Sequence, residues 1–261
     1  QLMPIVIFSH GITGTRHLHQ AMYEHLVSHG YIVVAPDHSF DANLTIFPDG
    51  HTADYRSNIT GHPDSIHVRT KQMNTRAADI SFILDQMERI QSGEIKSQIN
   101  GKIDLERVAV GGHSYGGSTA TVASQRDKRI NACFVLDSWI SPIPQETIEV
   151  GVHVPFLFMG RPTWQGSDYP GNYPRLDSLM VHSSDPKYRL IIKETKHLDF
   201  SDIPLFSPII GYVLDVGSLS ASVSIPLLNE LVYGFLEKHL TEQPSSHFDE
   251  MIQNELIITI P

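Results

Sequence analysis

The stretch "VAVGGHSYGGSTATVAS", residues Val108–Ser124, places one serine among four glycines at the end of an apolar run. Residues Gly112–Gly116 have the form G-x-S-x-G, between a predicted strand and a predicted helix of small residues. In such a turn the serine adopts a strained backbone conformation and its hydroxyl projects above the sheet. Glycine flanks it because the incoming strand and the outgoing helix nearly touch. The alternative is a plain glycine-rich turn, but the strand and helix context favours a nucleophilic serine, Ser114.

Apolar runs and helix-period segments alternate along the rest of the chain. The predicted strands are "MPIVIFSH" (3–10), "YIVVAPDH" (31–38), "RVAVGG" (107–112), "ACFVLD" (132–137), "PFLFMG" (155–160) and "YRLIIKET" (188–195). One amphipathic helix is expected to begin at Asn74 or Thr75 and to end near Gly93, and a final helix lies around Leu227–His239. Residues 39–70 show no clear period and are interpreted as a long surface excursion. This order predicts an α/β protein with a mostly parallel central sheet and helices on both faces.

We expect one domain over residues 1–240 and a C-terminal tail over 241–261, in which "NELIITIP" has the composition of a short strand. The sequence opens on Gln1, almost inside a strand, which leaves open whether N-terminal strands of the sheet precede it. Localisation is also left open, with a weak lean to a secreted protein.

Composition excludes several classes of function. The formal net charge is −10, from 29 acidic and 19 basic residues, so no nucleic-acid partner is expected. A single cysteine, Cys133, rules out an internal disulfide and a cysteine-based zinc site, and its apolar surroundings indicate a buried, inert thiol. No apolar run reaches the ~18 residues of a transmembrane segment. The pair His17 and His19 is not expected to bind metal, because residues two apart on a helix point in different directions. We therefore expect neither a metal nor a cofactor.

A serine nucleophile requires a base, and the base requires an orienting acid. His197 directly follows the last predicted parallel strand, where this order of elements places the base. Asp137 ends the strand "ACFVLD" and is the favoured acid, because a strand terminus is a rigid mount. Asp168, in a loop after "PFLFMG", is the alternative acid.

The oxyanion of a tetrahedral intermediate needs two backbone N–H donors. One is expected from Tyr115, the residue after the serine, and the other from Ile12 in "SHGITGT", directly after the first strand. His10 and Gly11 are expected to shape that loop.

Four apolar side chains near the predicted strand ends are candidates for the substrate pocket: Trp139, Trp164, Leu198 and Phe200. For the aromatic ones an acyl-pocket wall and ordinary core are equally good interpretations. The apolar segment "IPLFSPIIGYVL", residues 203–214, is expected to be a buried helix, with an interfacial or pocket-capping helix as the alternative.

With these motifs identified, the chain resembles the serine esterases of the α/β-hydrolase fold, and more narrowly the plasma and type II platelet-activating factor acetylhydrolases. The resemblance is carried by "FSHGITGT", "GGHSYGG", "LDSW", "KHLDFSD" and "GFLEKHL". It implies Ser114, Asp137 and His197 as the triad, and Ile12 and Tyr115 as oxyanion donors. Parts of the chain, "TGT" and "SHGYIVVAPD", also resemble cutinase-like polyesterases.

The resemblance implies calcium-independent hydrolysis of short or oxidised sn-2 acyl chains of phospholipids, with a small-molecule or lipid ester as substrate and transient contact with lipid surfaces. The alternatives are a cutinase-like polyester hydrolase, a general short-chain carboxylesterase and, from another class, a non-catalytic binding protein of the same fold. Leu198 departs from the family pattern, since a polar neighbour of the base is common there.

Overall fold

The computed structural model describes residues 2–59, 62–164, 171–241 and 246–260. Its strands are β1 (Met3–Ser9), β2 (Ile32–Val34), β3 (Leu44–Ile46), β4 (Thr52–Asp54), β5 (Ile103–His113), β6 (Ala132–Leu136), β7 (Phe156–Gly160), β8 (Lys187–Ile192) and β9 (Ile257–Ile260). Its α-helices are α1 (Gln20–Ser28), α2 (Ser65–Gln91), α3 (Tyr115–Arg126), α4 (Gln145–Val150), α5 (Asn172–His182), α6 (Ala221–Leu240) and α7 (His247–Met251). Three short 3₁₀ turns cover His197–Phe200, Ile203–Leu205 and Ile210–Tyr212.

Within the described residues, the central sheet has seven strands in the order β2-β1-β5-β6-β7-β8-β9, of which only β9 runs antiparallel to its neighbour. Ser9 pairs with Gly112 and His113 pairs with Leu136, so β1, β5 and β6 end at one edge of the sheet. The loops that follow these three strands therefore meet at their carboxyl ends, where α/β sheets place their ligands.

Alternation along the strands builds one core on each face of the sheet. In β1, Ile5 and Ile7 contribute to the core that includes residues of α2 and α3, whereas Val6 and Phe8 contribute to the core that includes residues of α1 and α6. The predicted fold class, a mostly parallel sheet with helices on both faces, is confirmed.

Two local predictions were wrong. Helix α2 begins at Ser65 rather than at Asn74 or Thr75, so the surface excursion is shorter than expected and contains the β3–β4 hairpin. Residues 203–214 form no buried helix. Several large apolar side chains of this segment are exposed, namely Leu205, Phe206, Ile209, Tyr212, Val213 and Leu214.

Residues 246–260 belong to the folded body in two ways. Strand β9 pairs with β8 of the central sheet, and the side chain of Phe248 in α7 is fully buried. The division of the chain at residue 240 stays a prediction. Cys133 is fully buried in β6, and burial raises the pKa of its thiol to about 12, in agreement with an inert side chain. None of the described helices is long and apolar enough to cross a membrane.

Candidate active site

Ser114 lies alone between the end of β5 and the start of α3, with φ 57° and ψ −122°. This left-handed backbone conformation is unfavourable for any residue other than glycine, and it persists here because the turn is closely packed. A Cβ at Gly112 would lie 2.2 Å from the carbonyl oxygen of Gly116, and one at Gly116 would lie 2.0 Å from the carbonyl oxygen of Ser9. The two glycines that flank the serine are therefore required by space.

Three side chains from distant segments form one chain of hydrogen bonds. The Ser114 hydroxyl lies 2.9 Å from Nε2 of His197, and Nδ1 of His197 lies 2.6 Å from Oδ2 of Asp137. Because a carboxylate only accepts, Nδ1 carries the proton and Nε2 is free to accept from the serine. This is the tautomer that a general base needs.

The Asp137 carboxylate is fully buried, directly after β6, and is bound on every side. Oδ1 accepts from the Arg161 backbone N–H and from the Trp164 indole N–H, each at 3.2 Å. Nε of Arg161 lies 3.2 Å from Oδ2, close enough for an ion pair, and its guanidinium lies 4.0 Å from the centre of the Trp164 ring. The alternative acid, Asp168, lies outside the described residues.

His197 is the first residue of a short 3₁₀ turn, and a hydrogen bond from His113 fixes the backbone of this turn. Nε2 of His113 donates to the His197 carbonyl oxygen at 3.1 Å, and the two rings lie 4.6 Å apart. Burial lowers the pKa of His113 well below 6.5, so this ring is a neutral hydrogen-bond donor. The Asp199 side chain also fixes the turn, because its Oδ2 accepts from the backbone N–H groups of Lys196 and Gly217.

The loop after β1 lies against the serine. A Cβ at Gly11 would lie 3.2 Å from the Ser114 Cβ, and the next residue, Ile12, is half-buried. Within the described part of the chain, the backbone amides of Ile12 and Tyr115 have no hydrogen-bond acceptor. Stabilisation of an oxyanion requires two such donors, and these two amides belong to the segments next to Ser114.

One protein family matches nearly the whole chain. The family described as "Platelet-activating factor acetylhydrolase, isoform II" matches residues 1–255. The chain belongs to this family.

Relatives in the family are moderately similar in sequence. The platelet-activating factor acetylhydrolase of Canis lupus familiaris is 29% identical over 275 residues, covering 97% of this chain and 61% of that protein. The Bos taurus protein of the same name is 27% identical, with coverage of 97% and 61%. The chain thus spans about three-fifths of the length of these relatives.

Two proteins with other names are also similar. Cutinase est2 of Thermobifida alba is 30% identical over 206 residues, covering 78% of this chain and 53% of that protein. The solved structure of a ferulic acid esterase from Streptomyces cinnamoneus superposes with a TM-score of 0.76 at 24% identity, covering 100% of this chain and 74% of that one. The latter likeness shows that the acetylhydrolase-family chain has an α/β-hydrolase fold.

The four candidates for the substrate pocket differ in how much of each side chain is exposed. Leu198 is half-buried beside His197 and is the most open of them. Trp164 is 5% exposed and contacts both His197 and Asp137, and Trp139 is 6% exposed against the Tyr115 ring. Phe200 is 1% exposed and belongs to the core cluster that contains Leu136, so it offers no accessible surface to a substrate in this structure.

From the sequence, His10 was expected to shape the loop after β1, but the largely buried polar network under this loop was not predicted. Its members are Ser9, His10, His38, Arg76 and Asp79. Arg76 offered a signal that could have been noticed. It lies three residues after Met73 and four before Ile80, so it is a charged residue on the apolar face of its helix.

Proposed function

We propose that the protein is a serine carboxylic ester hydrolase with Ser114 as nucleophile, His197 as general base and Asp137 as the orienting acid. The observation that supports this most directly is the continuous hydrogen-bond chain from the serine hydroxyl through the imidazole to a buried carboxylate. A second observation supports the proposal: the amides of Ile12 and Tyr115, on the two segments next to Ser114, have no acceptor within the described residues, and we propose that they bind the developing oxyanion.

In the proposed reaction, Oγ of Ser114 attacks the ester carbonyl carbon while Nε2 of His197 takes the hydroxyl proton. The carbonyl oxygen becomes negative and accepts hydrogen bonds from the Ile12 and Tyr115 amides. The C–O bond to the alcohol then breaks, and the imidazolium gives its proton to the leaving oxygen. Water, deprotonated by His197, attacks the acyl-enzyme and releases the acid and the serine. Asp137 stabilises the imidazolium in both halves.

We propose short sn-2 acyl esters of phospholipids as the preferred substrates, in line with the names of the family relatives. A protein group stabilises each charge that develops in the proposed reaction, so the reaction requires no metal ion. We therefore expect full activity in the presence of EDTA, which chelates divalent metal ions. A polyester hydrolase is the second candidate, favoured by the similarity to Cutinase est2.

The first experiment measures hydrolysis of p-nitrophenyl acetate and butyrate by the wild type, Ser114→Ala and Ser124→Ala. Ser124 is a matched control, because it is also 8% exposed but its hydroxyl donates to the Thr121 carbonyl instead of a histidine. We expect Ser114→Ala to lose at least about 10³-fold in kcat/KM, and Ser124→Ala to keep it. Wild-type turnover by Ser114→Ala would contradict the proposal, and failure of a fluorophosphonate probe to label Ser114 would favour a non-catalytic binding protein.

The acid is tested by Asp137→Asn and Asp168→Asn, made separately. We expect the first to lower kcat by several orders of magnitude, because an amide at this position cannot hold the imidazole in the required tautomer. If only the second collapses activity, the assignment of Asp137 is wrong.

Substrate class is decided by relative rates on an sn-2 acetyl phospholipid, tributyrin and a polyester film. A rate highest on the phospholipid supports the acetylhydrolase proposal. A rate highest on the film supports the cutinase-like alternative.

We also propose transient contact with lipid surfaces through residues 203–214, which follow the His197 turn and expose Phe206 at 64% and Ile209 at 60%. Because the net charge is −10, zwitterionic vesicles are the appropriate probe. Phe206→Asp with Ile209→Asp should abolish vesicle association and lower activity on vesicle-borne substrate, without changing hydrolysis of soluble p-nitrophenyl acetate. Val181→Asp is the control, because Val181 is a 77% exposed apolar residue on α5. Equal vesicle binding by the wild type and the double variant would contradict this contact.

A further inference from the structure

Arg76 is a charged side chain in an apolar layer. It lies on α2, its side chain is 2% exposed, and it belongs to the largest fully buried side chains of the described residues. Its helix neighbours Met73, Ala77 and Ile80 all belong to the hydrophobic core. Removing a guanidinium from water is unfavourable by several kcal/mol unless it is well paired, so its position requires an explanation.

The guanidinium is only partly paired. Nη2 donates to the carbonyl oxygen of His10, but Nε and Nη1 have no hydrogen-bond acceptor among the described residues. The nearest carboxylate, that of Asp41, lies 3.8 Å from Nε, beyond hydrogen-bond distance. Burial lowers the pKa of Arg76 to about 10, which still leaves the group cationic at neutral pH. A positive charge is therefore held in the interior with incomplete compensation.

Arg76 contacts both segments that carry the unpaired amides. His10, whose carbonyl it binds, comes two residues before Ile12. Its guanidinium carbon lies 5.0 Å from the ring centre of Tyr115, the residue that carries the other amide. These two segments come from β1 and from the β5–α3 turn, and Arg76 bridges them from a third element.

We propose that Arg76 is a positioning residue of the oxyanion hole, which holds the Ile12 and Tyr115 segments together and places a permanent positive charge behind the two amides. The inference rests on the proposed function, because it assigns Arg76 to the stabilisation of an oxyanion formed at Ser114.

A second set of contacts also fixes the loop after β1, so that Arg76 acts on a defined geometry. The His38 backbone N–H donates to Nε2 of His10 at 3.0 Å, and Nδ1 of His10 donates to the Gly11 carbonyl at 2.6 Å. That carbonyl belongs to the same peptide group as the Ile12 N–H. The orientation of this peptide is thereby set, with the N–H directed away from His10.

The charge should act mainly on the transition state. Inside a protein, charges interact more strongly than in water, and the ester carbonyl is neutral before attack but negative after it. Removal of the Arg76 charge should therefore lower kcat while it leaves KM nearly unchanged. Because the two amides remain, we expect a loss of about 10- to 100-fold, at or below the loss for a missing oxyanion donor.

The experiment compares Arg76→Met, Arg76→Lys and Arg69→Met in hydrolysis of p-nitrophenyl acetate. Arg69 is a matched control, since it lies on the same helix, is 5% exposed and approaches the same Tyr115 ring at 5.7 Å. Its guanidinium, however, donates to Gln72 and Tyr55 rather than to the loop after β1. We expect Arg76→Met to lose kcat with KM within twofold, Arg76→Lys to recover part of the loss, and Arg69→Met to keep wild-type kcat.

Inhibition by a phenylboronic acid, which forms a tetrahedral anionic adduct with a serine, supplies a second readout. The Ki of this inhibitor should rise in Arg76→Met in parallel with the fall in kcat/KM. Thermal melting checks that each variant is folded, and we expect Arg76→Lys to be folded even if Arg76→Met is not. The inference is overturned if folded Arg76→Met keeps kcat within twofold, if both methionine variants lose activity equally, or if Arg76→Lys restores nothing while folded. A wild type that neither hydrolyses the ester nor labels at Ser114 overturns the proposed function itself, and the inference with it.

Discussion

The buried carboxylate of Asp137 shows how much one residue of this site depends on its neighbours. Both of its oxygens are occupied, by His197 on one side and by the Arg161 amide and the Trp164 indole on the other. Its own φ of 39° lies in the left-handed region, so the backbone there is strained and the side-chain contacts hold the residue in place.

Trp164→Phe tests whether these contacts matter for activity. The change removes the indole N–H that donates to Asp137 and keeps an aromatic ring next to His197. A hydrogen bond to a charged group contributes about 1.5–3 kcal/mol, so we expect kcat/KM to fall about tenfold or more. Tyr188→Phe serves as the control, because it also removes one polar group from an aromatic side chain, and that side chain contacts Phe235 and Phe248 rather than the carboxylate. Equal activity of the two variants would show that the indole has no positioning role.

At this scale the sequence predicted which residues lie at strand ends but not what surrounds them. Ser114, Asp137 and His197 each follow a recognisable apolar strand, and parallel strands bring such positions together. Arg161 and Trp164 could not be placed in the same way. They follow β7 in an irregular segment, where no periodicity relates a side chain to its spatial neighbours.

The strand–turn–helix unit formed by β5 and α3 depends on close backbone contact. Gly116→Ala would place a Cβ 2.0 Å from the Ser9 carbonyl oxygen, and the Ser9 backbone cannot move away without disturbing the pairing of β1 with β5. We expect a loss of at least about 3 kcal/mol in the free energy of unfolding, at the upper end for overpacked sites, measured by urea denaturation. Gly211→Ala, whose Cβ would meet only Cγ2 of Val216 at 3.4 Å, should change stability by less than about 0.5 kcal/mol. A Gly116→Ala variant as stable as the wild type would show that the turn has room for a Cβ at this position.

Helices and strands could be predicted where the hydrophobic periodicity was strong. The prediction failed where other features of the local sequence conflict with that periodicity. Residues 203–214 are apolar enough for a buried helix, but Pro204 and Pro208 each lack the N–H that a helix requires, and two short 3₁₀ turns form instead. The start of α2 was missed for another reason. Its first turns are polar, and their support comes from tertiary contacts such as the bond from the Thr70 hydroxyl to the Pro142 carbonyl.

Across the whole molecule, the buried histidines couple folding to pH. Burial lowers the pKa of His10, His38 and His113 well below 6.5, and lowers that of His19 to about 3. These rings stay neutral when folded, whereas the unfolded chain binds protons below about pH 6.5. The stability that they contribute is therefore fully present above pH 6.5 and is lost as the pH falls toward the folded-state pKa values.

Three carboxyl groups act in the opposite direction at lower pH. Burial raises the pKa of Asp79, Asp199 and Asp202 above 3.8, so the folded state binds these protons more tightly than the unfolded chain. Their contribution to stability grows as the pH falls through the raised values, which offsets part of the loss due to the histidines. The steepest loss is thus expected about one pH unit below 6.5, where the histidines of the unfolded chain are nearly all protonated.

Thermal and urea unfolding between about pH 8 and pH 5 should test this coupling. We expect a plateau above about pH 7 and then a fall in the free energy of unfolding of up to about 1.4 kcal/mol per pH unit for each buried histidine. His19→Gln should reduce the slope by one such contribution, because its imidazole is fully enclosed next to Phe8 and His113 and glutamine takes up no proton. A melting temperature that stays constant from pH 7 to pH 5, or a slope unchanged in His19→Gln, would show that the unfolded chain gains no protons relative to the fold.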